Sequence, residues 1–380
     1  MSETVMIVAG EASGELYGAL LAAAVRRNRP DAQIVGIGGE RMRDAGVELI
    51  SGISSAFGIT EALSSIRALR ETFKKAVEAF RQYRPAVLVL IDYPDFNLRL
   101  AAEARKRKIP VLYYVSPQVW AWRRGRVKKI ARLVERMAVI LPFEEQIYRD
   151  TGLHAEFVGH PVYDEIQGMC ADKGSLKKEL GMDPGLPLIS LLPGSRPHEL
   201  DRLLPLVVDT VKACRRAFRG YQYCVPFAPN TNLDRHRFYI DALNQEGVTI
   251  SRGESLRTLA ASDYAVIASG TATLQAALLG VPLVVIYKLF PLTFWIGKRL
   301  VKVRYVSLVN ILCGREAVRE LLQKDANVRN ILEELQKIIN DADYRIGMEK
   351  VYRDVRNIFS GKKASERVAA MVIEMAGWKK

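Results

Sequence analysis

Cysteine and histidine are scarce in this 380-residue chain, and both are scattered. The four cysteines, Cys170, Cys214, Cys224 and Cys313, form no C-x-x-C pair. That excludes a disulfide-built fold and a thiolate zinc site, and points to reduced thiols of a cytoplasmic protein. The four histidines, His154, His160, His198 and His236, lack ligand spacing, so no metal centre is expected. One D-x-D occurs, Asp341-Ala342-Asp343, but it lies between helical segments rather than after a strand and reads as a surface turn. No basic residue precedes Arg26 and no cleavable apolar core follows, which predicts no signal peptide. One charge-free stretch, 264–287, is long enough to span a bilayer. Ser269, Gly270, Thr271, Thr273, Gln275, Gly280 and Pro282 interrupt it, so it reads as strand, glycine turn, helix and strand. Internal repeats and low-complexity tracts are also missing.

What is present is a folded globular mix, 49 % hydrophobic and 26 % charged, of a size for two or three domains. Lys plus Arg outnumber Asp plus Glu by 56 to 42, a net charge of +14. The excess is spread, +6 over residues 1–160 and +8 over the rest, so it is not a tail. Such a balance asks for phosphate, nucleic acid or an anionic membrane as partner. Short β-rich apolar runs at 5–9, 34–37, 87–91, 111–115, 137–141, 188–192, 221–225, 248–251, 264–268 and 283–287 alternate with helical patterns. Runs apolar on both faces and separated by helices mark parallel sheets covered on both sides, an α/β fold. The rhythm breaks once, at 164–187, where Gly168, Gly174, Gly181, Pro184, Gly185 and Pro187 crowd a stretch without a strand. We therefore expect a first domain over 1–163, a linker over 164–187, a second domain over 188–345 and C-terminal helices over 346–380 that pack back on the first domain. No strand is expected after about Val318.

Four strand–turn–helix junctions carry candidate chemistry. In Val8-Ala9-Gly10-Glu11-Ala12-Ser13-Gly14-Glu15, glycines allow close backbone approach and a helix N-terminus favours an anionic group. A tight turn capped by Ser13 is the plain alternative. In Leu90-Ile91-Asp92-Tyr93-Pro94-Asp95-Phe96-Asn97, Asp92 stands at a strand's carboxyl end and is a candidate base, while Asp95 stands where an N-cap would be. In Leu192-Pro193-Gly194-Ser195-Arg196, backbone amides, a hydroxyl and a planar cation suit a diphosphate. Ser269-Gly270-Thr271-Ala272-Thr273-Leu274-Gln275 supplies a further helix N-terminus, and Asn310 alone reads as a turn residue. Residues 123–132 hold six basic side chains and no acidic one, beside Trp120 and Trp122. Val127, Ile130, Ala131 and Val134 share the opposite helical face. Tryptophans beside Arg123, Arg124 and Arg126 suit lipid headgroups or nucleic acid, against the plain alternative of a solvated face. A non-enzymatic nucleic-acid-binding protein would also account for the charge. It leaves unexplained one acidic and one phosphate-like site at strand ends of two separate sheets.

Taken in order, VAGEASGE, GIGGERM, IDYPDFN, YYVSPQVWAWRRGRVKKI, LPFEE, FVGHP, LLPGSRPHE, ASGTATLQAAL, FWIGKRLVK, YVSLVNILCGRE and RELLQ resemble the lipid-A-disaccharide synthase family over roughly residues 5–325. The resemblance implies a GT-B architecture, two doubly wound Rossmann-like domains facing across a cleft, with a helical C-terminal tail. It implies metal-independent, inverting transfer of 2,3-diacylglucosamine from UDP to 2,3-diacylglucosamine 1-phosphate, giving the β-1,6 lipid A disaccharide phosphate and UDP. No cofactor and no nucleic acid are implied. A homodimer and a cytoplasmic protein peripheral on the inner face of the inner membrane are. Asp92 matches the family's essential aspartate and proposed base, Arg196 its diphosphate-contacting arginine and Asn310 a functional asparagine. Glu11, Ser13, Gly194, Ser195, Gly270, Thr271 and Gln275 match further substrate-site positions. The basic run beside two tryptophans assigns Trp120, Trp122, Arg123, Arg124 and Arg126 to membrane or acceptor contact. Three positions depart from the pattern: Glu15 for Asp, Val309 for Pro, and Gln275 for the Glu expected to hold the ribose. On the resemblance, Gln275→Glu is expected to tighten UDP binding by ~1 kcal/mol.

Overall fold

The computed structural model describes residues 3–52, 62–121, 124–169, 172–229, 231–290 and 304–378. Among these residues thirteen strands form two all-parallel sheets, and the chain divides into two units, Met1–Asp164 with Gly361–Lys380, and Glu165–Ser360. The first unit's strands are β1 (Thr4–Ala9), β2 (Gln33–Gly38), β3 (Glu48–Gly52), β4 (Val87–Ile91), β5 (Val111–Tyr114), β6 (Arg136–Val139) and β7 (His154–Phe157), in the order β3-β2-β1-β4-β5-β6-β7. The second unit's are β8 (Leu188–Leu192), β9 (Gln222–Phe227), β10 (Thr249–Arg252), β11 (Tyr264–Ala268), β12 (Leu283–Tyr287) and β13 (Glu320–Leu322), in the order β10-β9-β8-β11-β12-β13. Strand order reverses between β1 and β4 in one sheet and between β8 and β11 in the other. Open α/β sheets bind ligands at the carboxyl ends of strands beside such a reversal. All four candidate turns follow those four strands.

Burial explains the pattern. Every residue of β4 is 0 % exposed. Aliphatic side chains covered on both faces contribute ~1.5–3 kcal/mol each, and they leave a continuous apolar run in the sequence. The three strands that left no such run, β3, β7 and β13, are all sheet edges. β3 is only half-buried along its centre, and β13 is three residues long. β13 corrects the expectation of a tail without strands. Among the described residues no helix is long and apolar enough to cross a membrane.

Two expected boundaries differ from those observed. The segment 164–187 is not bare linker: the helix Pro161–Gln167 ends in it, and the helix Lys173–Glu179 starts with Asp172 accepting from the Gly174 and Ser175 amides. Lys177 ties that helix to Asp263 at 2.8 Å. At the C-terminal end the helix Ala342–Phe359 belongs wholly to the second unit, and the chain returns to the first only at Gly361, whose φ is +73°. A boundary at 346 would have cut a continuous hydrogen-bond ladder. The returning helix, Ala364–Ala376, is capped by Asp164, which accepts from the Ala364 and Ser365 amides at 3.1 and 2.8 Å. Arg367 reaches Glu156 at 2.7 Å and Glu374 reaches Arg136 at 2.6 Å.

His160, in the turn between β7 and the helix Pro161–Gln167, is 2 % exposed and sits edge-on to Tyr17, 6.0 Å away. Burial pushes its pKa down to about 3. The unfolded chain, with an ordinary imidazole, therefore binds the extra proton first as pH falls below about 6.5. The stability linked to His160 is complete above that pH and declines toward pH 3 by up to about 1.4 kcal/mol per pH unit. Urea unfolding at pH 7 and pH 5 is expected to show a drop smaller by ~2 kcal/mol in His160→Gln than in the parent. Equal drops would assign the acid sensitivity to other groups.

Candidate functional site

In the first unit the turns after β1 and β4 are built against each other. A Cβ on Gly10 would lie 2.5 Å from Cγ of Tyr93, so the ring of one motif requires the glycine of the other. Glu11 is the N-cap of the helix Ala12–Asn28, and Ser13 lies in its first turn rather than capping it. Glu15 accepts from the Arg41 amide at 2.9 Å, and a Cβ on Gly39 would collide with its carboxylate. The departure at position 15 thus ties VAGEASGE to GIGGERM.

Asp92 and Tyr93 both have left-handed backbones, with φ of +48° and +47°. Two consecutive non-glycine residues there cost ~1–2 kcal/mol each, a strain that collects at functional sites. The strain is held by buried partners. Asn97 Nδ2 donates to the Asp92 carbonyl at 2.8 Å and to the Ile91 carbonyl at 3.1 Å, and the Tyr113 hydroxyl donates to the Asp92 carbonyl at 2.5 Å. Asp95 does not cap: Tyr93 is the N-cap of the helix Pro94–Lys106, with Pro94 at its first position. Asp95 instead pairs with Arg126 at 2.7 Å.

Near Asp92 lies a carboxyl that sequence reasoning did not single out. Glu144, from LPFEE, is 2 % exposed and accepts from the Leu141 amide and the Trp120 indole N–H, each at 3.1 Å. Burial pushes its pKa up to about 8; those two donors pull it back and the Asp92 charge adds to the rise. At neutral pH it is mostly uncharged, which spares Asp92 a second negative neighbour. Of the basic cluster, Trp120 is engaged by Glu144 and by Phe143 edge-on at 5.3 Å, and Arg126 by Asp95. Trp122, Arg123 and the Arg124 side chain lie outside the described residues.

In the second unit the turn after β8 departs from expectation. Gly194 has φ +103°, and a Cβ there would strike Glu199. Glu199 is 7 % exposed, and its Oε2 accepts from the Ser195 and Arg196 amides at 3.0 and 3.2 Å. The Ser195 amide expected to cradle a diphosphate is therefore taken by the protein's own carboxylate, three residues into the helix Pro197–Ala217. The Arg196 side chain is 52 % exposed, with Nη1 3.8 Å from Glu199 Oε1. The signal was in the sequence, an acidic residue at the third helical position of PGSRPHE.

Gly270 is the N-cap of the helix Thr271–Leu279 and is exposed, with Thr271 half-buried beside it. Asn310 lies at 0 % exposure and all its amide positions are used: Nδ2 donates to the Val318 carbonyl and Glu320, and Oδ1 accepts from the Ala317 and Val318 amides. Val309 is buried in the first turn of the helix Leu308–Cys313, where first-turn amides have no intrahelical partner and proline is tolerated equally.

Gln275 Nε2 donates to Glu165 Oε2 at 3.3 Å. This reverses the expected effect of a glutamate at 275, because two carboxylates at such a distance repel. Gln275→Glu is now expected to weaken UDP binding about threefold to tenfold, the scale of one hydrogen-bond difference. Adding Glu165→Gln rebuilds an amide–carboxylate pair in swapped order and should recover the loss in calorimetry. Failure of the double variant to recover would separate Glu165 from the effect. Among the described residues no group of three or more His, Cys, Asp or Glu side chains is placed to hold a metal ion.

The family model described as lipid-A-disaccharide synthetase matches residues 5–373. The lipid-A-disaccharide synthase of Myxococcus xanthus is 41 % identical over 375 residues, covering 98 % of this chain and 97 % of its own. That of Trichlorobacter lovleyi is 40 % identical over 373 residues, covering 98 % and 97 %. Among solved structures, the UDP-GlcNAc 2-epimerase of Neisseria meningitidis bound to UDP-GlcNAc is similar with a TM-score of 0.69 and 11 % identity, over 98 % of this chain and 100 % of that one. That likeness concerns the fold, two doubly wound sheets of GT-B type. The sequence matches, at that identity and over that length, go further: the chain belongs to the lipid-A-disaccharide synthase family, glycosyltransferases of lipid A biosynthesis.

Proposed function

We propose that the chain transfers 2,3-diacylglucosamine from UDP to 2,3-diacylglucosamine 1-phosphate, with Asp92 and Arg196 as its catalytic residues. The observation that carries this reading is the placement of Asp92 and Arg196. They stand in the turns after β4 and β8, beside the strand-order reversal of each sheet. Asp92 takes the proton of the acceptor hydroxyl as its oxygen attacks the anomeric carbon. The bond from that carbon to the UDP β-phosphate oxygen breaks, and its electron pair leaves with UDP. One displacement inverts the centre, giving the β-1,6 linkage. The Arg196 guanidinium and the Ser195 hydroxyl meet the charge that grows on the β-phosphate. Gly194 shapes that turn, and the Gly270-Thr271 helix N-terminus and Gln275 complete the donor end. Glu11 and Ser13 belong with the acceptor. Trp122, Arg123 and Arg124 would supply the contact with the inner-membrane surface, and a homodimer is the assembly proposed.

The test is turnover of UDP-2,3-diacylglucosamine with 2,3-diacylglucosamine 1-phosphate against non-acylated UDP-GlcNAc and glucosamine 1-phosphate. Disaccharide phosphate and UDP in equal amounts from the acylated pair alone are expected. Equal turnover of the non-acylated pair, or epimerisation of UDP-GlcNAc without an acceptor, would replace this reading by another GT-B activity.

A further inference from the structure

One carboxylate ties β13 to the segment 306–310 and, through Val306, to the turn after β11. Glu320 opens β13, where it pairs with Val285 of β12. Its Oε1 accepts from the Ser307 amide at 2.9 Å, the Ser307 hydroxyl at 2.8 Å and Asn310 Nδ2 at 2.8 Å, and its Oε2 accepts from the Val306 amide at 3.0 Å. An ionised carboxylate offers about four acceptor positions and no donor, and here four protein donors meet it, three on Oε1 and one on Oε2. The network continues both ways. The Val306 carbonyl accepts from Ser269 Oγ at 2.8 Å, and Ser269 immediately precedes Gly270-Thr271. Asn310 Oδ1 holds the Ala317 and Val318 amides at 2.7 and 2.9 Å. Ser307 and Asn310 are both fully buried.

A simple helix cap does not need this arrangement. Ser307 already caps the helix Leu308–Cys313 by accepting from the Asn310 amide at 3.3 Å. What Glu320 adds is a fixed link from the β13 edge to the turn after β11. We propose that Glu320 is a positioning residue for the transfer reaction: its carboxylate holds Val306 and Ser307 so that Ser269 anchors the Gly270-Thr271 turn at the donor end. In the same network Asn310 acts on the reaction through protein contacts rather than by touching the sugar nucleotide. The proposal rests on the reading of that turn as donor-binding.

Glu320→Gln keeps the volume and replaces one acceptor oxygen by an NH2 group, which must then face a donor. The probe is UDP. The dissociation constant by calorimetry is expected to rise about 10- to 100-fold, the scale of one unsatisfied buried group. The donor KM is expected to rise with it and the acceptor KM to stay unchanged, whereas a role in stability alone would lower the melting temperature and leave both UDP affinity and donor KM as they were. Glu320→Asp keeps the charge and is expected to recover part of the loss. Ser269→Ala cuts the link to Val306 without altering Glu320, and serves if Glu320→Gln does not fold; a threefold to tenfold weaker UDP affinity is expected there. Arg196→Ala in parallel separates the two readings. Loss in Arg196→Ala with none in folded Glu320→Gln, or none in Ser269→Ala where only that variant folds, overturns the role of Glu320. Loss in Glu320→Gln with none in Arg196→Ala supports Glu320 and removes Arg196 from the donor site. No loss in either overturns both.

Discussion

Asp92→Asn is expected to lower turnover by ~10²–10⁴-fold, the contribution of a positioned general base, while leaving the fold and UDP affinity intact. Asparagine is the informative replacement because of the backbone. Position 92 has φ +48°, where Asn and Asp are the best tolerated of the residues with a side chain. The contacts that hold the position, from Asn97 and Tyr113, go to the main-chain carbonyl and survive the change. An alanine there would mix lost chemistry with added strain. On the proposed reading UDP is held by the turns of the other unit, so a calorimetric titration of UDP should not change. Neither should the melting temperature by more than a few degrees, the shift that ~1 kcal/mol produces in a domain of this size. Turnover within tenfold of the parent would remove Asp92 from the role of base. A matching loss of UDP affinity would make it a structural residue of the turn. Glu144 offers a second reading of the same site. Its carboxyl, pushed up to about 8 by burial, ionises as pH rises through that value and adds a charge near Asp92.

The sheets were legible wherever strands are buried on both faces, and illegible at three of the four edges, β10 being the exception. Residues 87–91 announce themselves because every side chain is apolar, and 188–192 because all but Ser190 are. At β3, β7 and β13 one side of the strand has no neighbour, so polar residues such as Glu48, His154 and Glu320 are admitted and the pattern dissolves. The candidate site was legible as a set of positions, since glycine, aspartate and arginine at strand ends mark the turns beside β1, β4, β8 and β11. What the amides and side chains of those turns do was not. Whether the Ser195 amide faces a ligand or Glu199 depends on a rotamer four residues on. Whether Asn310 faces a ligand or the 317–318 segment depends on where β13 lies. Glu144, Glu199 and Glu320 share a trait that composition cannot show: each carries a buried or partly buried carboxyl group that accepts from the protein's own N–H groups, in the first turn of a helix or at the start of a strand. Each sits inside a stretch that resembles the family, and none stands at a strand's carboxyl end, where sequence reasoning looked for function.

Arg196→Ala is expected to weaken UDP binding by ~10–100-fold, since hydrogen bonds to a charged group are worth ~1.5–3 kcal/mol, and to slow turnover of bound donor by a further ~10²–10³-fold, the scale of one lost donor to developing charge. Two effects act in the same direction. The guanidinium is the larger part of what the turn after β8 can offer a diphosphate, because Glu199 already occupies the Ser195 and Arg196 amides. Removing it also leaves the Glu199 carboxylate, 3.8 Å from Arg196 Nη1, without that positive neighbour and next to the phosphates. At 7 % exposure that charge is poorly screened, so the repulsion persists at moderate salt. Arg196→Lys returns a charge but not a planar fork, so it should recover affinity more than rate. Arg196→Ala with Glu199→Gln separates the two effects. The glutamine oxygen can still accept from the turn's amides, while the negative charge is gone. UDP affinity in that double variant should rise above that of Arg196→Ala, with turnover still low. A chelator should leave the parent's rate unchanged, since on this account the arginine does the work of a bound cation at the leaving diphosphate. Loss of turnover on chelation, restored by Mg²⁺ or Mn²⁺, would assign the leaving-group charge to a metal. Full rescue of rate by lysine would instead show that net charge at position 196 is sufficient and the fork is not needed.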